Sequence, residues 1–185
     1  KEIRDVKKHY PKHALIVSLM VESKKEWQEI IRRVEDTGAD GLELNFGCPH
    51  GMCERGMGSS VGQEPKVLQE ITSWVMDTTK LPVLVKLTPN ITDIVEVGMA
   101  AKQGGADGVS LINTIKSIMG IDLDTFTPYP KLRNGSTNGG FCGPAVKAIA
   151  LLIVASLARE KDFGLPISGI GGISNWRDAA EFISL

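Results

Sequence analysis

The chain has 185 residues, with 21 Lys+Arg against 22 Asp+Glu and a formal net charge of −1. That balance excludes a global positive field for nucleic acid and a polybasic grip on an anionic membrane. The 42% hydrophobic and 23% charged residues suit a folded globular core, and no apolar run approaches the ~20 residues of a membrane span.

Three cysteines build no disulfide framework, so a reducing cytoplasm is the expected compartment. Glycine is in excess, at 20 residues, where a usual share of about 7% would give about 13. The chain opens on Lys1 rather than Met and stops at Leu185 within an apparent helix. We therefore expect it to be truncated at both ends.

Five short apolar runs follow one another: residues 14–20 (ALIVSLM), 41–46 (GLELNF), 82–87 (PVLVKL), 107–112 (DGVSLI) and 165–170 (LPISGI). Stretches of helical period separate them, at 24–36, 64–78, 91–103 and 144–160, and another opens near Asn175. Strand alternating with helix is the pattern of βαβ units on a parallel sheet. Trp27, Trp74 and Trp176 each fall in a helical stretch and are expected to pack on that sheet.

An internal echo accompanies the pattern. TGADGLELN (37–45) returns as GGADGVSLIN (104–113). Each copy reads as a helix-stopping glycine, a tight turn, a buried strand, and an asparagine at the strand end. A left-handed turn explains the glycine. Asn45 and Asn113 would lie at the same end of two parallel strands, where a barrel places its site. The alternative is that each merely caps its own loop.

Connection lengths agree with that polarity. Helix-to-strand links are short (37–40, 79–81, 104–106), whereas two strand-to-helix links are long (47–63 and 114–143). In parallel α/β folds the long loops gather with the chemistry at the carboxyl ends of the strands. The second is too long for a passive connector and is expected to act as a lid.

The segment from Asn45 to Gly58, NFGCPHGMCERGMG, is the richest in chemistry. Three readings of Cys48 stay open: a metal ligand with His50 and Cys53, an inert buried thiol, or a site thiol acting as acid or nucleophile. The metal set would be incomplete, since no second CxxC or HxxxH accompanies it.

The strings NFGCPHGMCERGMGSSVGQ (45–63), VKLTPNITDI (85–94), GGADGVSLINT (104–114), GGFCGPAVKAIAL (139–151) and PISGIGGI (166–173) together resemble the dihydropyrimidine dehydrogenase family. The likeness covers nearly the whole chain in register and is greatest to the bacterial NAD-dependent catalytic subunit. The related class 1 dihydroorotate dehydrogenases share the Asn-x-x-Cys-Pro core without the longer continuation.

The resemblance implies one domain over 1–185, a portion of an FMN-binding TIM (β/α)8 barrel. About five βα units are in view, and by resemblance they hold the third to seventh strands. It implies reduction of the 5,6 double bond of uracil or thymine, in pyrimidine catabolism, with hydride from FMN and a proton from Cys48. Asn45, Asn113 and Thr114 would hold the alternating C=O and N–H edge of the pyrimidine. Lys86 would stand beside the flavin ring, unless it only pairs with Glu43 inside the barrel. Gly143, Gly171 and Gly172 would offer backbone N–H groups to the flavin phosphate.

NAD(P)H and iron–sulfur clusters would act through regions or subunits outside this chain, on an electron-transfer partner carrying FAD and Fe–S. A homo-oligomer is also expected, and no metal site. Gly47 departs from the family, since animal enzymes have a serine there. Cys53 replaces a small residue and could bridge to Cys48 under oxidation. The stretch alone is expected to be inactive. Alternatives are dihydroorotate oxidation and a non-catalytic barrel fragment.

Overall fold

The computed structural model describes residues 1–49, 56–133 and 135–185. In chain order these form α1 (Glu2–His9), β1 (Ile16–Leu19), α2 (Lys24–Glu35), β2 (Gly41–Asn45), the single turn α3 (Ser59–Gly62), α4 (Pro65–Met76), β3 (Val83–Lys86), α5 (Ile94–Gln103) and β4 (Gly108–Leu111). An excursion of short strands follows: β5 (Ile115–Ser117), β6 (Gly120–Asp122), β7 (Thr127–Tyr129), β8 (Lys131–Leu132), β9 (Gly135–Ser136) and β10 (Gly139–Phe141). A 3-10 turn (Pro144–Val146), α6 (Lys147–Ala158), β11 (Ile167–Gly169) and α7 (Trp176–Ile183) complete the chain.

All five apolar runs become strands of one parallel sheet, ordered β1-β2-β3-β4-β11. The following helices pack in a row, α2 on α4, α4 on α5, α5 on α6 and α6 on α7. The sheet residues Leu42, Leu44, Val83, Val85, Val109 and Leu111 join one core with Ile31, Leu68, Val75, Val97 and Leu157 of those helices. The other parity along the strands holds Ser18, Glu43, Lys86 and Ser110, which hydrogen-bond or pair with one another. Strands in sequential order with helices on one face and polar side chains on the other make a portion of a (β/α)8 barrel, as expected.

Local chemistry explains the elements. In α2, Trp27, Ile31 and Val34 are buried at helical spacing. Ser23 and Glu26 close a capping box at its start. The backbone and side-chain hydrogen bonds from Ser23 hold the Glu26 carboxyl below its usual range. Trp27 itself is fully buried, edge-on to Phe46 with ring centroids 6.2 Å apart.

The internal echo has a common cause. Asp40 Oδ2 accepts from Leu15 N–H at 2.7 Å, and Asp107 Oδ2 accepts from Val83 N–H at 2.8 Å. Each Asp thus satisfies an N–H where the neighbouring strand begins. Gly38 (φ +79°) and Gly105 (φ +93°) make the left-handed turns that lead into these sites.

Two expectations need correction. Trp27 is buried and Trp74 packs partly on the core, but Trp176 is 73% exposed. The packed positions of α7 are Asp178 and Phe182, one turn apart, and Trp176 lies about 200° around the helix from Asp178. It stacks instead under the Arg177 guanidinium, 5.0 Å from the ring centroid. α7 stops at Ile183, capped at Ser184, so Leu185 is not within a helix. Within the long 114–143 connection, β5 pairs with β10, β6 with β7, and β8 with β9, all antiparallel.

Candidate functional site

The polar groups assemble at the carboxyl ends of β2, β3 and β4. Sheet register sets Asn45 opposite Lys86 and Lys86 opposite Ser110. One layer deeper, Glu43 accepts from Ser18 Oγ at 3.1 Å and Ser110 Oγ at 2.9 Å, with Lys86 Nζ 3.5 Å away. Lys86 thus pairs with Glu43, and it also lines a cleft at the end of the sheet.

That cleft has a volume of ≈ 340 Å³. Lys86, Asn113, Thr114, Gly143, Gly171 and Gly172 all line it, bringing together six of the eight residues singled out in the sequence. Asn45 reaches it through Asn113, whose Nδ2 donates to Asn45 Oδ1 at 2.8 Å. The same Asn45 oxygen accepts from Gly47 N–H at 3.3 Å, and Asn113 Oδ1 accepts from Thr114 N–H at 2.8 Å. The two asparagines of the echo meet across the end of β3, and each also accepts from a backbone N–H of its own loop. A Cβ on Gly47 would lie 2.6 Å from Asn113 Nδ2 and 2.8 Å from its Cγ, so this pairing needs glycine at 47.

Cys48 is half-buried and does not line the cleft. Its C=O accepts from Ser59 N–H at 3.0 Å. Gly58 (φ +61°) closes against the same carbonyl, where a Cβ would come within 2.7 Å. The start of α3 thus holds the Cys48 carbonyl. His50 and Cys53 lie outside the described residues, and with them the metal and disulfide readings of this loop. Among the described residues no group of three His, Cys, Asp or Glu could hold a metal.

At the other end of the cleft Gly143, Gly171 and Gly172 all have positive φ, at +88°, +136° and +70°. A Cβ on Gly172 would lie 2.8 Å from the Gly143 carbonyl, and one on Gly171 would lie 2.7 Å from Ala150 Cβ. Only bare backbone fits where these turns meet. Gly143 itself faces open space.

Lys147 Nζ braces the arrangement, reaching Asp178 Oδ1 and Glu181 Oε2, each at 2.7 Å. Asp178 Oδ2 in turn accepts from Ser174 and Asn175 N–H at 2.9 and 3.1 Å. The Lys147 hydrogen bond, with the Ser174 N–H second, holds the Asp178 carboxyl below its usual range. The same carboxylate, with Glu181 second, raises Lys147.

Sequence reasoning missed two residues here. Cys142 lines the cleft beside Gly143. Asn90 binds both long loops, donating from Nδ2 to the Thr114 carbonyl at 3.1 Å and accepting at its own C=O from Gln63 Nε2 at 2.6 Å. A signal for Asn90 existed: like Asn113, it is an asparagine a few residues past a strand end, in Leu87-Thr88-Pro89-Asn90.

The Asn45–Asn113 pair, the turns at Gly143, Gly171 and Gly172 and the two long loops gather at the carboxyl ends of the strands, where barrel enzymes place their sites. The family model described as "Dihydroorotate dehydrogenase" matches residues 1–185, and the chain belongs to that family. It is 47% identical over 190 residues to the chloroplastic dihydropyrimidine dehydrogenase (NADP(+)) of Arabidopsis thaliana, covering 100% of this chain and 45% of that protein. It is 45% identical over 184 residues to the NAD-dependent dihydropyrimidine dehydrogenase subunit PreA of Escherichia coli K12, covering 99% and 44%. Identity to the catalytic subunit of dihydroorotate dehydrogenase B (NAD(+)) of Pyrococcus horikoshii is 44% over 169 residues, covering 91% and 52%. The chain spans about half the length of the curated relatives it matches. No helix among the described residues is long and apolar enough to cross a membrane.

Proposed function

We propose that this chain forms part of the catalytic barrel of a flavin-dependent pyrimidine oxidoreductase, one that reduces the 5,6 double bond of uracil or thymine. The supporting observation is the Asn113–Asn45 amide pair at 2.8 Å, which shares one cleft with Thr114 and Lys86. Side-chain amides present both donors and acceptors, and so match an edge that alternates C=O with N–H. Relatives at 45–47% identity carry the name dihydropyrimidine dehydrogenase.

The cleft also fits FMN. Lys86 would hold the pyrimidine end of the ring, and backbone N–H groups of Gly143, Gly171 and Gly172 would hold the phosphate, the last two in turns with no room for a Cβ. Bound FMN supplies the two-electron chemistry. The protein's own part is to orient and to protonate. Asn45, Asn113 and Thr114 hold the pyrimidine edge. Cys48 Sγ gives its proton to one carbon of the 5,6 bond as the other is reduced, and the thiolate regains a proton from solvent. NAD(P)H would feed electrons through a partner subunit or domain carrying FAD and iron–sulfur clusters, in a cytoplasmic complex.

Dihydroorotate oxidation is the second reading, favoured by the family description and by the Pyrococcus relative. Orotate carries a carboxylate, whereas uracil is neutral. Lys86 is the one cation among the described residues lining the cleft, and Glu43 already faces it. That charge balance favours the neutral ring.

The test uses the full-length flavin-loaded protein, reduced with dithionite without oxygen and mixed with uracil or orotate. Reoxidation by uracil and not by orotate is expected, and the reverse preference refutes the proposal. Cys48→Ala should reduce its flavin normally and lose reoxidation by roughly 10²-fold or more, the usual contribution of a general acid. Unchanged reoxidation removes the acid role from Cys48.

A further inference from the structure

We propose that Asn90 is a positioning residue that bridges the two long loops, fixing the Cys48 side of the site against the Asn113–Thr114 edge. The inference rests on the pyrimidine-reductase reading above. It starts from the saturation of one amide. Asn90 Oδ1 accepts from Lys116 N–H at 2.8 Å, while Nδ2 donates to the Thr114 carbonyl at 3.1 Å and to Thr88 Oγ1 at 3.0 Å. The side chain thus grips the excursion on both sides of Ile115, where the chain leaves the cleft.

The Asn90 backbone grips the other loop. Its C=O accepts from Gln63 Nε2 at 2.6 Å. Gln63 caps the C-terminus of α3, and Ser59 at the start of α3 donates its N–H to the Cys48 carbonyl at 3.0 Å. A Cβ on Gly62 would run into the Phe46 carbonyl and lie 3.1 Å from Thr88 Cγ2. The turn is therefore wedged between the Cys48 loop and the Thr88–Asn90 segment.

A continuous path runs from Cys48 through α3, Gln63 and Asn90 to Thr114, outside the ladder of the sheet. An amide is needed at 90 because the site demands two donors and one acceptor. A carboxylate keeps only the acceptor, and a hydroxyl is too short to reach both strands of contacts. Thr88 Oγ1 also accepts from Asn90 N–H at 3.1 Å. A residue that served this local turn alone would need neither Thr114 nor Gln63.

The experiment is a double-mutant cycle in the full-length flavin-loaded protein, with Asn90→Asp, Gln63→Leu and the pair. Gln63 is exposed, so its replacement leaves the core intact. Asn90→Asp should raise KM for uracil and lower the reoxidation rate, each by about tenfold, as expected for losing donors to a positioned group. Gln63→Leu should lower the rate by about tenfold with KM nearly unchanged, since it slackens only the Cys48 side. Both cut one bridge, so the pair should be no slower than Asn90→Asp alone. Rates that multiply, or a folded Asn90→Asp with parental KM and rate, overturn the bridge.

A readout without substrate separates this from the functional reading. Alkylation of Cys48 by iodoacetamide, followed by peptide mass mapping, should run at least about threefold faster in Gln63→Leu. An unchanged alkylation rate refutes the bridge, whether or not the parent reduces uracil. A parent that uracil cannot reoxidise, but whose Cys48 responds to Gln63→Leu, refutes the substrate assignment alone.

Discussion

Replacing Gly47 by alanine tests the asparagine pair most directly. The new Cβ would stand 2.6 Å from Asn113 Nδ2 and 2.8 Å from Cγ, where non-bonded contacts settle near 3.5–4.0 Å. Asn113 must therefore retreat by about 1 Å. That stretches its 2.8 Å bond to Asn45 past any useful length. The lost hydrogen bond costs about 1 kcal/mol and an off-rotamer side chain about as much again. The sum is about 2 kcal/mol, or roughly 30-fold in affinity for the pyrimidine.

Gly47 does not line the cleft, so flavin content should be unchanged, and uracil binding can be followed through the visible flavin spectrum of the full-length protein. Gly47→Ser carries the same Cβ and should weaken binding in the same direction. A dissociation constant within twofold of the parent in Gly47→Ala would refute the reasoning, because the backbone at 47 and 113 would then part without disturbing the amide pair.

Further outcomes are expected elsewhere. Lys86→Met should weaken FMN binding by roughly tenfold, the loss of one charge-assisted contact, as measured by recovery of flavin fluorescence on titrating the apoprotein. Lys147→Met should lower the melting temperature at pH 7 by freeing α7 from α6, and the gap to the parent should narrow as the pH falls below the ordinary carboxylate range. The sign follows from Asp178: Lys147 depresses its carboxyl, so that stabilisation is present above the ordinary carboxylate range and fades as the pH falls through the depressed value. In the excursion, Asp122 is held down to about 2, chiefly by its hydrogen bond from Lys131 and then by Thr125 N–H. Amide exchange in β6 and β7 should therefore stay protected at pH 4 and quicken near pH 2.

Much of this arrangement was legible in the residues because the same physics acts locally and globally. Five short apolar runs separated by helical stretches left few options beyond a parallel sheet, and the two GAD turns marked equivalent strand entries. The polar end was legible from loop length and from Asn45 and Asn113. The contact between those asparagines was not, since it depends on both strands flanking β3, a fact of strand order. Asn90 escaped for the same reason: its partners, Gln63, Thr114 and Lys116, lie 24 to 27 residues away. Trp176 misled because its size suggests burial, whereas its angle on α7 decides exposure. The ribbons of 115–141 escaped because two- and three-residue strands leave no periodic trace.

Those ribbons have a consequence for how the protein can be re-engineered. Ser117 stands opposite Gly139 in the β5–β10 pair, so the chain leaves and returns at neighbouring points. Everything from Ile118 to Asn138 hangs from that stem as a cassette, with both anchors on the site side: Thr114 before it and Gly143 after it. A tight two-residue turn could replace the cassette, or a relative's version could be grafted onto the stem, without altering strand order or the distances around Asn45 and Lys86. Changes to the cassette could then be introduced separately from changes to the cleft.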